Sequence, residues 1–203
     1  MKPKVYHCLL LLVIAFAAGC RKEEEKPPAS AVPAISFRSL TKFTAIPLRF
    51  GSFNAVGDSI LLTIAYEDGD SDLGLDLEDL MALESKYPYS AATKKYFHNF
   101  YLDLDKKSNG VFKPVVFPFP DFSFWSFFRR IPNGNKNDVF SVFHIRTQSP
   151  WRGEITYRLR LDLSSNPDAP IREGDTLRCR IQIADRAMNV SNTIETPEFV
   201  FMR

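Results

Sequence analysis

The sequence predicts an all-β protein, built as a sandwich of two antiparallel sheets with one or two short helices. Three stretches alternate between apolar and polar side chains with a period of two residues, which is typical of strands with one buried face. These stretches cover residues 59–66, 155–163 and 177–183. Shorter strand candidates cover residues 101–104, 111–117, 140–146 and 198–202. Short strands in this number, with little helix between them, favour a β-sandwich.

Local signals predict the connections and the helices. The pair Asn109-Gly110 predicts the tight turn of a hairpin, because these residues accept the positive φ angles that such turns need. Apolar residues at helical spacing predict a short helix over 75–85, and residues 91–97 could add another turn.

Cys179 lies on the apolar side of its strand, which predicts a small buried core residue rather than a nucleophile.

The first residues have the layout of a secretory signal. Lys2 and Lys4 precede the apolar run Leu9–Ala18, which is too short to span a bilayer comfortably. The ending Ala17-Ala18-Gly19-Cys20 resembles the lipobox of bacterial lipoproteins. That resemblance implies that residues 1–19 are removed and that Cys20 carries lipid, which would hold the protein on a membrane. The alternative is a cleaved signal that happens to end in a cysteine.

Residues 20–34 are predicted to form a charged, proline-rich tether ahead of a single domain over residues 35–203. Lys22-Glu23-Glu24 is similar to the short charged signal that sends lipoproteins of Bacteroidetes to the outer cell surface. The similarity implies an outer-membrane protein that faces the cell exterior. Removal of residues 1–19 leaves 24 basic and 24 acidic residues, because that segment contains two lysines and no acid. This balance gives no argument for binding nucleic acid.

The stretch EDGDSDLGLDLED, residues 67–79, is either a calcium-binding loop or an acidic turn followed by a helix start. Counted from Asp68, aspartates occupy positions 1, 3, 5, 9 and 12, close to the ligand spacing of calcium loops. The candidate ligands are Asp68, Asp70, Asp72, Asp76 and Asp79. The glycine falls at position 7 rather than 6 and a strand precedes the loop, so this is not an EF-hand. In the alternative interpretation, the acidic side chains late in this stretch stabilise the N-terminus of a helix, because that end of the helix dipole is positive.

The run FPFPDFSFWSFFRRIP, residues 117–132, contains seven aromatic side chains among sixteen residues. Exposed, such a run would bind a glycan by ring stacking, a partner protein or a membrane; buried, it would be a crossover that lines the core. The candidate ligand-binding residues are Trp125, Phe124 and Phe127.

The sequence contains no phosphate loop, zinc spacing or nucleophile motif, and His98 and His144 belong to no metal-spaced pair.

The stretch Asp185-Arg186-Ala187-Met188-Asn189-Val190-Ser191 resembles the D-x-A-G-N-x-S hairpin near the end of many bacterial immunoglobulin-like domains. Met188 stands where those domains usually have glycine. Together with Asp68-Gly69-Asp70-Ser71-Asp72-Leu73-Gly74, this hairpin also resembles a group of Bacteroidetes lipoproteins. The resemblance implies an immunoglobulin-like sandwich on a lipid anchor, and it brings no known activity.

These observations predict a lipid-anchored protein of the cell envelope that acts as a non-enzymatic binding or scaffold module, stabilised by calcium if the acidic loop binds it. The alternative is a surface carbohydrate-binding lipoprotein that uses the aromatic run 117–132 as its platform. An enzyme is the third possibility, because carboxylates that converge in a cleft cannot be recognised from spacing alone.

Overall fold

The computed structural model describes most of the chain after the tether. The described residues are 28, 30–50, 53–87, 90, 92–118, 123–128, 143–149, 151–162 and 169–202. The predicted signal peptide, Cys20 and most of the tether therefore lie outside the described residues, as do 119–122 and 129–132 of the aromatic run.

Nine strands form two antiparallel sheets in the described part of the chain. They are β1 Ala34–Phe50, β2 Phe53–Glu67, β3 Phe100–Ser108, β4 Val111–Pro114, β5 Phe143–Ser149, β6 Arg152–Asp162, β7 Thr176–Ile183, β8 Ile194–Glu195 and β9 Phe199–Val200. The first sheet has the order β1-β2-β6-β5, and the second has the order β4-β3-β7-β8, with β9 also paired to β7. This is the A-B-E-D and C-F-G order of an immunoglobulin-like sandwich, with β4 as an extra edge strand and with both β8 and β9 at the position of strand G beside β7. The predicted all-β sandwich is confirmed.

The core lies between the two sheets and follows the alternation in the sequence. On β2, Ile60, Leu62 and Ile64 are at most 1% exposed, while the residues between them are partly exposed. On β7, Cys179 and Ile181 are fully buried. Cys179 is therefore the small core residue that its position in the strand predicts, and burial raises the pKa of its thiol to about 12.

Strand β1 was not predicted, although at 17 residues it is the longest strand described. Its pairing with β2 shifts register between Phe37 and Ser39, and again between Phe43 and Ile46. A β-bulge adds a residue to one strand and interrupts the alternation of side chains between the two faces of a sheet, which explains why β1 shows no continuous alternation in its sequence.

The helices and the hairpin turn occur close to where they were expected. Helix α1 spans Leu77–Lys86, and a 3-10 turn spans Lys94–Phe97. None of the residues of α1 is buried, and Leu77 is 71% exposed. The β3–β4 hairpin turns at Asn109 and Gly110, whose φ angles are +53° and +80°. Within the described part of the chain, no helix has both the length and the apolar character needed to cross a membrane.

The N-terminal segment and the start of β1 are held by hydrogen bonds to one end of the sandwich. The side chain of Asn192 accepts a hydrogen bond from the Ile35 amide and donates one to the Ile35 carbonyl, both at 2.9 Å. The Gly69 amide donates to the Ser30 carbonyl at 3.0 Å. A side chain at position 69 would collide with the carbonyl oxygens of Pro28 and Ser30, so this close approach requires glycine.

The inward side of β6 gives a direct test of the core. Leu161 is 4% exposed, and its replacement by alanine should lower the free energy of unfolding by about 2–5 kcal/mol through lost burial and a residual cavity. Arg160→Ala is the matched control, because the neighbouring Arg160 faces solvent and its loss should change stability by only about 0.5 kcal/mol. Urea unfolding of both variants makes the comparison, and a loss below about 1 kcal/mol for Leu161→Ala would contradict this assignment of the buried face.

Candidate functional site

The acidic loop begins where β2 ends, and its first aspartate is turned into the protein. Asp68 is 1% exposed, and its backbone amide donates a hydrogen bond to the Trp151 carbonyl at 2.8 Å. One carboxylate oxygen of Asp68, Oδ2, accepts a hydrogen bond from the Asp72 amide at 2.9 Å. This bond closes a short turn, which brings the Asp72 side chain to the same side of the loop as that of Asp68.

A second aspartate reaches the same place from the turn after β7. Asp185 is 1% exposed, and its carboxylate accepts hydrogen bonds from the Asn189 amide at 2.7 Å and the Asn189 side chain at 2.8 Å. Met188 in this turn has a φ of +69°, a conformation that favours glycine, which is the residue that the resembling hairpins have there. A β-bridge between Leu73 and Asp185 joins this turn to the acidic loop.

Three carboxylates converge as a result. Asp68, Asp72 and Asp185 each offer one oxygen, and these three oxygens lie within 4.8 Å of one another. Asp68 Oδ1 and Asp72 Oδ1 are buried and have no hydrogen-bond partner among the described residues. We call these three residues the acidic cluster. It combines two of the predicted ligands with Asp185, which the spacing argument did not include.

The other predicted calcium ligands lie elsewhere. Asp76 accepts a hydrogen bond from the Asp79 amide at 3.1 Å, and Asp79 accepts one from the Asp76 amide at 2.9 Å. These two bonds form the capping box that starts helix α1, which is the helix-start alternative for this part of the stretch. Asp70 is exposed, but its charge is close enough to raise the pKa of Asp68.

Burial and repulsion from neighbouring carboxylates favour the protonated forms of Asp68 and Asp72. Burial, followed by the charges of Asp70 and Asp72, raises the pKa of Asp68 to about 7. Burial, followed by the charges of Asp185 and Asp70, raises the pKa of Asp72 to about 6, although Arg186 acts in the opposite direction. The Asp68 charge also adds to burial in raising the pKa of the Tyr66 hydroxyl to about 12. Arg186 and the Ala187 amide therefore offset only part of the effect of burial and of the neighbouring carboxylates on Asp72.

These pKa values predict how the metal-free protein responds to pH. Both folded-state values exceed the ordinary 3.8, so the stability that protonation provides is complete below pH 4 and is lost as the pH rises towards 7. In EDTA, the thermal midpoint should therefore fall over this range relative to an Asp68→Asn, Asp72→Asn double variant.

The double variant also serves as the control for other titrating groups. His98 acts in the opposite direction, because burial lowers its pKa, and its contribution is common to both proteins. Equal pH dependence of the midpoint in the wild type and the double variant would contradict the raised pKa values of Asp68 and Asp72.

The aromatic run forms one wall of a separate groove. This groove has a volume of about 370 Å³ and lies beside β3. A hydrogen bond from the Val115 amide to the Leu104 carbonyl, at 2.8 Å, holds the chain on β3 near one end. Paired backbone bonds between Phe100 and Ser126, at 3.0 and 2.9 Å, hold it near the other. The side chains most relevant to ligand chemistry along the groove are Lys94, Asp103, Phe117, Phe124, Trp125 and Arg180.

Of the three predicted ligand-binding residues, Trp125 is held by a hydrogen bond and by ring contacts on several sides. It is half-buried, and its indole Nε1 donates a hydrogen bond to Asp103 Oδ1 at 3.1 Å. The Tyr101 ring packs edge-on against it at 5.2 Å, and the Lys94 ammonium lies 5.2 Å from its centroid. Phe124 also lines the groove, with its ring 5.5 Å from that of Phe117. Phe127 is 41% exposed, but it is not among the residues that line the groove.

Charged groups of β3 and β7 complete this groove. Asp103 and Arg180 are direct partners in the β3–β7 register, and their side chains approach to 3.9 Å. Arg180 is oriented by a second ion pair at 3.0 Å with Asp105, which is almost fully buried.

His98 Nδ1 pairs with the Lys94 carbonyl at 2.6 Å, so this ring nitrogen is engaged in local structure. The side chain of His144 lies outside the described residues.

No family model, no curated protein and no solved structure matches this chain. The fold and the two sites therefore define its class: a β-sandwich with an acidic cluster beside its N-terminal segment and an aromatic, charged groove along its second sheet.

Proposed function

We propose that this chain is a lipid-anchored, non-enzymatic binding module of the cell envelope, and that the groove beside Trp125 binds a glycan. The observation that carries the proposal is the combination in one groove of a half-buried indole with an exposed carboxylate and a partly exposed guanidinium. Its volume of about 370 Å³ falls within the range of small-ligand sites, roughly 300–1,000 Å³.

The side chains along this groove match the chemical groups that a sugar presents. A sugar ring has an apolar face of C–H groups that packs against an aromatic side chain, and a rim of hydroxyls that both donate and accept hydrogen bonds. Trp125 and Phe124 supply aromatic surface, and Asp103 and Arg180 supply an acceptor and a donor of charge-assisted bonds. The Asp103 carboxylate is 50% exposed, so it can exchange water for a ligand hydroxyl without leaving Trp125.

The groove is also preorganised, which favours binding over a purely structural role. Indole Nε1, the Asp103 carboxylate and the Arg180 guanidinium form one connected set of contacts, and Asp105 holds the guanidinium from the buried side. Fixing these groups before binding reduces the conformational entropy that a ligand must overcome. A scaffold role without a small ligand is the competing function, and it predicts that no saccharide binds.

Binding can be followed through Trp125 itself. The chain has two tryptophans, so Trp151→Phe leaves Trp125 as the single indole reporter. We expect saturable changes in its emission with at least one of four probes: hexasaccharides of glucose, xylose or N-acetylglucosamine, and an oligosaccharide of galacturonic acid. In the same background, Asp103→Asn should weaken binding about tenfold, since a charge-assisted hydrogen bond contributes about 1.5 kcal/mol or more.

Glu173→Gln is the matched control, because Glu173 is exposed in the turn before β7 and does not line the groove. It should leave the affinity unchanged. The absence of both an emission change and a calorimetric signal with all four probes would refute the glycan role and favour the scaffold.

The lipid anchor has its own test, which does not depend on the groove. Cys20→Ser should move the protein from the membrane fraction to the soluble fraction, because the modified cysteine would carry the acyl chains. Cys8→Ser is the control, since Cys8 lies within the predicted signal peptide and its loss should leave fractionation unchanged. Membrane fractionation of Cys20→Ser at the wild-type level would show that the anchor is wrongly assigned.

A further inference from the structure

We propose that the acidic cluster is a calcium site, in which Asp68, Asp72 and Asp185 hold one cation between the loop after β2 and the turn after β7. This proposal goes beyond glycan binding and uses none of the groove residues, so either proposal can fail without the other.

The geometry of the three carboxylates fits calcium. Their oxygens lie within 4.8 Å of one another, and two oxygens on opposite sides of one calcium ion, each at 2.3–2.6 Å, are about 5 Å apart. The donor set consists of carboxylate oxygens, which suits hard cations such as calcium, magnesium and manganese. The upper bound of 4.8 Å also admits magnesium, whose opposite oxygens are about 4 Å apart, but magnesium demands a near-ideal octahedron of ligands. A cluster assembled from two separate loops, with three carboxylates, is better suited to the larger and less directional ion.

The unpaired oxygens are an independent observation that points to a ligand. Asp68 is 1% exposed, and its Oδ1 atom has no hydrogen-bond donor among the described residues. Asp72 Oδ1 is also buried and without a hydrogen-bond partner within the same described set, while the Ala187 amide lies close enough to the Asp72 carboxylate to lower its pKa in part. A buried carboxylate oxygen without a partner is unfavourable, so polar groups in this position are normally paired or coordinate a metal. A calcium ion in the cluster would satisfy both oxygens and neutralise the repulsion between the three side chains.

The nearby arginine does not replace such a cation. Arg186 lies close enough to lower the pKa of Asp72 in part. Among the described residues, however, no ion pair within 4.0 Å joins Arg186 to any member of the cluster. The turns themselves already use three of the other oxygens: Asp68 Oδ2 accepts a hydrogen bond from the Asp72 amide, and the two oxygens of Asp185 accept hydrogen bonds from Asn189. Each of these oxygens retains a lone pair for a cation.

The position of the site indicates what calcium would do. The same two loops hold the N-terminal segment, through the bond from Gly69 to Ser30 and the paired bonds between Asn192 and Ile35. A cation between Asp68 and Asp185 would fix the loops that make these contacts. We therefore infer that calcium orders the junction between the tether and the domain.

Calcium binding by the full chain tests the proposal directly. After removal of metal with EDTA and exchange into metal-free buffer, titration calorimetry with calcium chloride should show one ion per chain. Millimolar calcium should then raise the thermal midpoint by several degrees, because a ligand that binds only the folded state stabilises it. Asp72→Asn should weaken the affinity about tenfold or more, since it removes a charged ligand and leaves the size of the side chain unchanged.

Asp79→Asn is the matched control, because it makes the same change within the same acidic stretch but in the capping box of α1. It should keep the wild-type calcium affinity. A measurement without any variant is available if Asp72→Asn does not fold: terbium, a luminescent substitute for calcium, should be sensitised by excitation at the wavelength of tryptophan and displaced by calcium.

Several results would overturn the calcium site. One is that 10 mM calcium produces no binding heat, no shift of the thermal midpoint and no displacement of terbium luminescence. The weakest known calcium sites have roughly millimolar affinity, so this concentration would fill them. Another is equal loss of affinity in Asp72→Asn and Asp79→Asn. A third is magnesium binding as tight as calcium binding, which would mean that the cluster does not have the size inferred here.

Discussion

The packing of the two sheets against each other is the constraint on which the rest of the structure depends. Strands β2 and β6 of one sheet and β3 and β7 of the other contribute inward side chains that are almost inaccessible to solvent. At the centre, the rings of Phe100, Phe143 and Tyr157 lie 4.8–5.1 Å apart. Each large apolar side chain buried in this way stabilises the fold by about 1.5–3 kcal/mol. This packing fixes where the strands end, and hence where the loops that carry the acidic cluster and the groove begin.

Beyond the strand ends, side chains take over the hydrogen bonding that the sheets cannot provide. Asn99 exchanges two bonds with the Phe128 backbone, and Asn192 does the same with Ile35. Asp58, which is fully buried, accepts a bond from the Met202 amide and pairs with Lys42. In each of these places a polar side chain satisfies the backbone of a passing segment. Asp58 Oδ1 has no hydrogen-bond partner among the described residues either, but Asp58 has Lys42 beside it. The acidic cluster differs because three carboxylates meet there.

The sequence predicted the parts of this molecule that depend on local pattern. Strands β2, β6 and β7 alternate without interruption and were predicted, whereas the bulges in β1 hide its period. For the acidic cluster, spacing identified Asp68 and Asp72 but could not add Asp185, which joins them through the fold. Spacing also included Asp76 and Asp79, whose role in a helix cap depends on where α1 begins. For the groove, composition identified Trp125, but its partner Asp103 is paired with Arg180 by strand register, which sequence alone does not specify.

The contact between Asn192 and Ile35 determines how the domain responds to mechanical force. Among the described strands, β1 lies at the edge of its sheet and pairs with β2, so a pull on the chain ahead of Ala34 would otherwise peel β1 away one hydrogen bond at a time. Such a pull first meets the bond between Ser30 and Gly69, and then the two bonds between Ile35 and Asn192, which lies in the connection from β7 to β8 of the second sheet. Because both bonds must break together, the force passes into both sheets of the sandwich. A domain held by its N-terminus in a moving fluid would therefore resist unzipping from the strand that is most exposed to it.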